Sequence, residues 1–227
     1  MTLKALIFDV DGTLAETEEA HRAAFNRTFK EAGLGWHWSI EDYTSLLETT
    51  GGKERMRQHR DNLGLAHPDD AQIAELHRVK TTFYAKILDG GGLELRPGVA
   101  DLIECAGSAG LRIAVATTTN RPNVDALCQC CWGCAADKVF DVIAAGDEVA
   151  AKKPAPDIFL LALERLGLPA TEAIAVEDSV NGLRSAHAAG LRTLITPSVY
   201  TAHQDFTHAN WMLANLTREQ LPEALKF

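Results

Sequence analysis

Two aspartates separated by one residue follow a short apolar run near the start of the chain. They are Asp9 and Asp11, in the run DVDGT at residues 9–13. At the end of a strand, two such carboxylates can share a divalent cation while one attacks phosphorus and the other transfers a proton. Gly12 would allow a sharp backbone turn beside a substrate. Asp and Gly also form ordinary turns, so the pair alone leaves both interpretations open.

A threonine-rich segment in the middle of the chain consists of Thr117, Thr118, Thr119 and Asn120. Its hydroxyl and backbone N–H groups could hold phosphoryl oxygens at the N-terminus of a helix. The alternative is a strand of β-branched residues that runs into an ordinary capped helix. Alone, this segment is a weak indication of a phosphate site.

Two further polar segments could complete a phosphoryl-transfer site. Lys153 lies beside prolines that stiffen its loop, so its ammonium group could stabilise charge in a transition state. We interpret the preceding Lys152 as a solvated lysine. Glu177 and Asp178 end an apolar run and offer the oxygen ligands that Mg²⁺ prefers. Asp178 and Ser179 could equally cap the next helix, and the two roles are compatible.

The elements that must position these groups are predicted by alternating apolar and helical segments. Five short apolar runs are typical of a parallel sheet covered on both faces: residues 3–8, 113–117, 142–145, 173–176 and 193–196. Helical patterns lie between them, at residues 99–109, 123–132, 157–166 and 180–189. The sequence therefore predicts an α/β fold, in which ligands gather beyond the carboxyl ends of the strands.

A long helical stretch separates the first apolar run from the second. Helical patterns occur there at residues 18–32, 41–47, 53–63 and 70–87. The last of them places five side chains near one face: Ile73, Leu76, Val79, Lys80 and Phe83. We interpret residues 16–95 as a helical cap domain, inserted into a core domain formed by residues 1–15 and 96–227.

The composition is that of an ordinary globular protein, with 227 residues, 46% of them hydrophobic and 23% charged. The net charge of −9 disfavours nucleic acid and anionic membranes, but a metal and a few cations still allow a small anionic substrate. No run reaches the ~18 apolar residues of a membrane helix, and residues 3–8 are too short for a signal-peptide core. We expect a cytoplasmic monomer that binds neither nucleic acid nor membrane.

Four of the five cysteines crowd into seven positions: Cys128, Cys130, Cys131 and Cys134. They invite a zinc interpretation, but no second Cys or His pair at a suitable spacing completes a tetrahedral ligand set. Cys128 and Cys131 instead continue an apolar stripe that starts at Val124 in the helix predicted over residues 123–132. We therefore predict that Cys128 and Cys131 fill the core.

The four polar segments, in this order and spacing, resemble the haloacid dehalogenase superfamily of phosphotransferases. DVDGT matches its first motif, Thr117 its second and Lys153 its third, and Glu177 with Asp178 matches its fourth. The resemblance covers nearly the whole chain. It implies a doubly wound, Rossmann-like parallel sheet of strand order 3-2-1-4-5 with an inserted all-helical cap.

The same resemblance implies how the chemistry is divided among the acidic residues. Asp9 would form an aspartyl-phosphate intermediate, and Asp11 would act as acid and base. The expected cofactor is Mg²⁺, bound by Asp9, the carbonyl of Asp11 and Asp178, with Glu177 also counted in the metal site.

The cap is expected to select the substrate. Glu16 and His21 follow the first motif at positions that face the active site in β-phosphoglucomutase-like members of the family. They lie five residues apart at the start of a predicted helix, so both could be near the cleft. The alternative is a solvated first helical turn.

A second candidate substrate contact is the run TTGGKER at residues 49–55. Gly51, Gly52, Lys53 and Arg55 could bind a second phosphate through backbone N–H groups and cations, although a turn before a charged helix is the alternative. With Tyr43, this cap resembles the CbbY-type branch of the family. That branch removes a phosphate from xylulose 1,5-bisphosphate, an inhibitor of Rubisco in the Calvin cycle. A phosphorylated sugar is therefore the expected partner.

Three alternatives remain open at this point. A mutase would return the phosphate to its sugar, and a phosphoglycolate-type phosphatase would act on a smaller substrate. A sugar-phosphate-binding regulator would have kept the fold and lost the chemistry. The presence of Asp9, Asp11, Lys153 and Asp178 argues against the regulator.

Overall fold

The computed structural model describes residues 2–227 and contains two compact units. The core unit consists of the chain up to Glu16 together with Leu93–Phe227, and the cap unit consists of Thr17–Gly92. The selection of substrate by the cap unit remains a prediction.

The core unit is built on a six-stranded sheet in the order β3-β2-β1-β4-β5-β6, with every neighbouring pair parallel. The strands are β1 (Ala5–Phe8), β2 (Arg112–Thr117), β3 (Val142–Ala145), β4 (Ala173–Glu177), β5 (Arg192–Ile195) and β6 (Trp211–Met212). This confirms the predicted parallel sheet and the order of its first five strands. The sequence does not predict β6, a two-residue strand that pairs with β5 at the edge of the sheet.

Both units contain α-helices. The cap unit contains α1 (Glu18–Glu31), α2 (Ile40–Leu46), α3 (Gly52–Asn62) and α4 (Asp70–Asp89), and the core unit contains α5 (Val99–Ser108), α6 (Arg121–Trp132), α7 (Asp157–Leu166) and α8 (Val180–Ala188). Every residue of β1, β3 and β4 is buried, so these strands show no alternation of polar side chains. Within residues 2–227, no helix combines the length and the apolar character needed to cross a membrane.

The buried face of α4 differs in part from the predicted one. The side chains that α4 buries are Ile73, Lys80, Tyr84 and Leu88. Leu76, Val79 and Phe83, which the sequence places near the same face as Ile73, are only half-buried. The buried positions follow Ile73 by seven, eleven and fifteen residues, and this helical spacing leaves Leu76, Val79 and Phe83 together on one side of the buried face.

The predicted core role of the cysteines holds for one of the two. Cys128 is fully buried, whereas Cys131 is half-buried because its Sγ turns towards the carbonyl of Leu93, 3.7 Å away. Burial raises the pKa of both thiols to about 12. All five cysteines are free thiols. Among residues 2–227, the group of three side chains placed to share a metal ion is acidic and does not include a cysteine.

An aromatic cluster forms the centre of the cap unit. Trp38 is fully buried, with its ring 4.8 Å from those of Phe25 and Phe29 and 5.5 Å from that of His59. Trp36 lies edge-on to His59 at 4.9 Å. The imidazole is therefore held between two indole rings in a largely apolar setting.

We expect the cap unit to lose stability as the pH falls below the ordinary imidazole pKa of 6.5. Burial lowers the pKa of His59, and its Nε2 is buried with no hydrogen-bond partner among the described residues. Below this pH, His59 binds a proton in the unfolded chain but stays neutral in the folded chain. The free energy of unfolding therefore rises with pH through this range.

Urea denaturation at about pH 5 and about pH 7.5, followed by tryptophan fluorescence, measures this dependence. His59→Phe keeps an aromatic ring between the tryptophans and removes the titrating group. We expect this variant to show a smaller loss of stability at the lower pH than the wild type. Equal losses in the two proteins would contradict the assignment to His59.

Candidate active site

The carboxyl ends of three adjacent strands carry the central residues of the candidate site. Asp9 directly follows β1, Thr117 ends β2 and Glu177 ends β4. Because β1 lies between β2 and β4 in the sheet, these strand ends are neighbours. All three residues are buried. The sheet therefore brings the first, second and fourth predicted motifs together, as expected for a parallel α/β fold.

Lys153 joins two of these strand ends. Its Nζ donates to Oδ1 of Asp9 at 2.6 Å and to Oε1 of Glu177 at 2.5 Å, and its side chain is almost fully buried. Burial by itself lowers the pKa of Lys153, but the attraction of the two carboxylates outweighs it and raises that pKa above the ordinary value. The ammonium group is thus charged and fixed beside Asp9.

The buried carboxyl groups carry more negative charge than Lys153 can balance. Oxygens of Asp9, Glu177 and Asp178 lie within 4.8 Å of one another. Burial raises the pKa of Asp9 to about 8, Lys153 opposes that rise, and Glu177 and the half-buried Asp11 add to it. A divalent cation would supply the missing positive charge and favour ionised Asp9. The all-oxygen donor set fits Mg²⁺.

Asp178 is enclosed by a backbone segment and two hydroxyl groups. The Thr201 hydroxyl lies 3.0 Å from Asp178 Oδ2 and 2.9 Å from the Ser198 hydroxyl. On another side, a Cβ on Gly12 would lie 2.3 Å from Asp178 Oδ2, and Gly12 has a φ of +80°. Gly12 is therefore required both for the turn and for the close approach to Asp178. The sequence does not predict Ser198 or Thr201 as part of the site.

Glu177 uses both of its carboxylate oxygens. Oε1 accepts from Lys153, and Oε2 accepts from the backbone N–H groups of Asp178 at 3.1 Å and Ser179 at 3.4 Å. A Cβ on Gly182 in α8 would lie 1.9–2.0 Å from this carboxylate. Glu177 therefore keeps its position only because residue 182 has no side chain.

We expect Gly182→Ala to lower kcat by about 100-fold and the free energy of unfolding by about 1–3 kcal/mol, because the added methyl group displaces Glu177 from Lys153. Phosphate release and urea denaturation measure the two effects. Gly107→Ala is the matched control, since Gly107 is also helical and a Cβ there would meet nothing within 4 Å. That control should gain about 0.5–1 kcal/mol. A fully active Gly182→Ala enzyme would show that Glu177 has no positioning role.

The threonine-rich segment acts as a helix cap as well as a strand end. Asn120 Oδ1 accepts from the backbone N–H of Asn123 in the first turn of α6, at 3.1 Å. Thr117 Oγ1 accepts from the backbone N–H of Thr119 at 3.2 Å. The capping role is thus observed. The binding of phosphoryl oxygens by Thr118, Thr119 and Asn120 remains a prediction.

The interpretation of Lys152 as a solvated lysine is wrong. Its side chain is only 11% exposed, and its ammonium group donates to the carbonyl of Gly146 and to Asp147 Oδ1 at 3.1 Å. The short 3-10 turn after β3 places this carbonyl and carboxylate within reach of the lysine. Lys152 therefore braces the loop that carries Lys153.

Glu16 makes its observed contacts within the core unit. Its Oε1 lies 3.3 Å from Nε of Arg96. The Arg96 guanidinium also donates to the backbone carbonyls of Gly12, Thr196 and Pro197. Arg96 thus ties the first motif to the loop after β5. A contact between Glu16 and substrate remains a prediction.

His21 belongs to a buried group in the cap unit. Its Nδ1 lies 2.5 Å from Nζ of Lys80, and its ring stacks on Tyr84 with the centroids 4.0 Å apart. Because an ammonium group only donates, Nδ1 of His21 is the acceptor. The buried lysine is therefore paired, which accounts for its place on the inner face of α4.

Tyr43 and Arg55, both predicted substrate contacts, touch each other in the cap unit. The Arg55 guanidinium donates to the Tyr43 hydroxyl at 2.8 Å, and both residues are buried. Gly51 immediately precedes α3 with a φ of +91°, and α3 begins at Gly52. Lys53 follows in the first turn and is half-buried. The binding of a second phosphate by this segment remains a prediction.

A family model described as haloacid dehalogenase-like hydrolase matches residues 3–190. The chain therefore belongs to this family, and it is a phosphatase. A similar protein is Protein CbbY of Rhodobacter capsulatus, 59% identical over 217 residues that cover 96% of this chain and 95% of that protein. The crystal structure of CbbY from Rhodobacter sphaeroides in complex with phosphate has a TM-score of 0.93, 49% identity and full coverage of both chains. A variant of that protein in complex with xylulose 1,5-bisphosphate gives the same values.

Proposed function

We propose that this chain is a Mg²⁺-dependent sugar-phosphate phosphatase that removes a phosphate from xylulose 1,5-bisphosphate. The observation that carries the proposal is the Asp9 carboxylate, fixed 2.6 Å from buried Lys153 and grouped with Asp178. The substrate is supported by the complex of CbbY from Rhodobacter sphaeroides with this bisphosphate, at 49% identity over the full length of both chains.

The chemistry proceeds by two displacements at phosphorus. Asp9 attacks the phosphorus, and the bond to the sugar oxygen breaks as Asp11 donates a proton to that oxygen. Asp11 then takes a proton from a water molecule, which attacks the aspartyl phosphate, releases inorganic phosphate and regenerates Asp9. Lys153 orients Asp9 and stabilises negative charge on the phosphoryl oxygens, and the Thr117 hydroxyl donates to one of them.

The acidic cluster provides for the cation. Asp9, Asp178 and the carbonyl of Asp11 would hold Mg²⁺, with Glu177 beside them, and the bound cation supplies charge neutralisation for the transferring group. Lys153 stays bonded to both Asp9 and Glu177, so it limits how many carboxylate oxygens turn to the metal. That restriction suits Mg²⁺, which takes few carboxylates and keeps several waters.

The cap unit is proposed to recognise the rest of the substrate. Lys53 and Arg55 provide positive charge, and the backbone N–H groups at the start of α3 suit a second phosphate. The other proposed contacts are His21, Tyr43, Gly51 and Gly52 in the cap unit and Glu16 in the core unit. A sugar bisphosphate would use the Mg²⁺ site for one phosphate and Lys53 and Arg55 for the other.

The test is a screen for phosphate release over sugar mono- and bisphosphates and phosphoglycolate. With Mg²⁺, xylulose 1,5-bisphosphate should be the preferred substrate, and removal of the metal with EDTA should reduce the rate by at least about 100-fold. In parallel, β-glucose 1-phosphate should not be isomerised. Isomerisation of that sugar without release of phosphate would identify a mutase instead, and preference for phosphoglycolate would correct the substrate.

A further inference from the structure

We propose that Thr201 and Ser198 form a hydroxyl pair that positions the Asp178 carboxylate for the cation, and that Thr201 thereby sets the affinity for Mg²⁺. The inference rests on the proposed function, because it takes Asp178 as a metal ligand. Neither hydroxyl is part of the four motifs, since both lie in the loop after β5.

The Thr201 hydroxyl uses its full hydrogen-bonding capacity. Its Oγ1 accepts from the backbone N–H of Ser198 at 2.9 Å and lies 2.9 Å from the Ser198 hydroxyl. It also lies 2.8 Å from the carbonyl oxygen of Asp178 and 3.0 Å from Asp178 Oδ2. Thr201, Ser198 and Asp178 are all at least nine-tenths buried. Water therefore competes little with these hydrogen bonds.

A count of protons gives the direction of these bonds. The Ser198 N–H occupies one lone pair of Thr201 Oγ1, and the Ser198 hydroxyl can donate to the other. The single proton of Thr201 is then left for Asp178, shared between its carbonyl and Oδ2. A buried hydroxyl that donates to a carboxylate fixes the orientation of its oxygens, which is what a ligand of a metal ion requires.

Gly12 limits the movement of the Asp178 carboxylate on its other side. A Cβ on Gly12 would lie 2.3 Å from Asp178 Oδ2 and 3.1 Å from Cβ of Ser198. The carboxylate is thus confined between the backbone of the first motif and the Thr201 hydroxyl. Partners that fix a metal-binding carboxylate from outside typically change metal affinity by 10–100-fold when they are removed.

A purely structural role is the competing explanation. The backbone N–H of Thr201 donates to the carbonyl of Ser198 at 3.1 Å, so the two residues also close a turn. A hydroxyl that only stabilised this turn would change the free energy of unfolding and leave Mg²⁺ binding unaltered. The test must therefore measure metal affinity directly.

Isothermal titration of the full-length, metal-free protein with Mg²⁺ makes this measurement. Thr201→Val replaces the hydroxyl with a methyl group of similar size, and we expect Mg²⁺ affinity to fall by about 10-fold or more. The Mg²⁺ concentration for half-maximal activity should rise to the same extent, while the rate at saturating Mg²⁺ stays within about 3-fold of wild type. Thr201→Ser retains the hydroxyl and should restore affinity.

Thr193→Val is the matched control. Thr193 is also fully buried, in neighbouring β5, but its hydroxyl has no hydrogen-bond partner among residues 2–227. This variant should bind Mg²⁺ as the wild type does. If Thr201→Val does not fold, Ser198→Ala takes its place, and a loss of affinity of about 2-fold to 5-fold is expected from the removal of one supporting hydrogen bond.

Two outcomes separate failure of this inference from failure of the proposed function. Wild-type Mg²⁺ affinity in Thr201→Val, or in Ser198→Ala if that variant is used, overturns the role of the hydroxyl pair. Mg²⁺ binding that survives unchanged in Asp178→Ala would instead remove Asp178 from the metal site. The proposed function would then need revision before the hydroxyl pair is considered.

Discussion

Replacing Asp9 with asparagine should reduce phosphate release by at least about 10⁴-fold, because an amide oxygen is a very poor nucleophile towards phosphorus. The variant should still fold. Asparagine has almost the same shape, and its amide oxygen can accept the hydrogen bond that Lys153 donates to Asp9. Phosphate release with saturating Mg²⁺ and substrate measures the loss, and circular dichroism with urea denaturation checks the fold.

A second aspartate provides the control for this substitution. Asp101 is exposed in α5, and Asp101→Asn makes the same chemical change away from the strand ends. We expect this variant to be as active as the wild type. Hydrolysis by Asp9→Asn at the wild-type rate would show that another group attacks phosphorus. Retained binding of the bisphosphate by Asp9→Asn, measured by calorimetry, would show that chemistry and binding have been separated.

The main elements of the fold could be predicted because parallel strands buried on both faces leave a plain signal. In β3 and β4, for example, every residue is apolar or lies at the strand end, and no polar alternation obscures the run. The two residues of β6 carry no such signal, because a pair of residues at a sheet edge has no periodicity to detect.

The cap was harder to predict in detail because side chains far apart in sequence determine its packing. Periodicity places Lys80 on the same face as Ile73, but it does not reveal the partner that lets a lysine be buried, which is His21, 59 positions away. The ring of His21 also stacks on Tyr84, so α4 buries Tyr84 rather than Phe83. Periodicity predicted this helix, which ends at Asp89 rather than at residue 87, but it did not identify Tyr84 and Leu88 as buried.

The candidate site likewise contains residues that the sequence motifs identify and residues that only the fold identifies. Asp9, Lys153 and Glu177 belong to short motifs, and the strand ends bring them together. Arg96 and Thr201 do not belong to any motif, and their types are too common to single out. Arg96 reaches Pro197, 101 positions away, and Thr201 reaches Asp178, 23 positions away, so only the folded chain identifies these contacts.

Replacing Lys153 with methionine should lower kcat by about 1000-fold and the free energy of unfolding by about 3–5 kcal/mol. The stability loss has a simple cause. Asp9 and Glu177 would remain buried without the ammonium group that now lies 2.5–2.6 Å from each of them. Urea denaturation of the metal-free protein measures the stability effect, and single-turnover phosphate release measures the chemical one.

Lys152→Met is the matched control, since it removes the neighbouring ammonium group. Lys152 binds a backbone carbonyl and the exposed Asp147, so its loss should cost about 1 kcal/mol and leave kcat within about 3-fold of wild type. Similar losses of activity in the two variants would assign the effect to the loop rather than to the Lys153 charge.

The double variant Lys153→Met/Glu177→Gln separates the catalytic and structural roles of Lys153. Glutamine removes one of the two carboxylates left without a partner, so part of the lost stability should return relative to Lys153→Met alone. Turnover should stay as low as in the single variant, because the charge beside Asp9 is still missing. If turnover recovered together with stability, Lys153 would act only by holding the strand ends together, and the phosphoryl charge would have to be balanced by the cation alone.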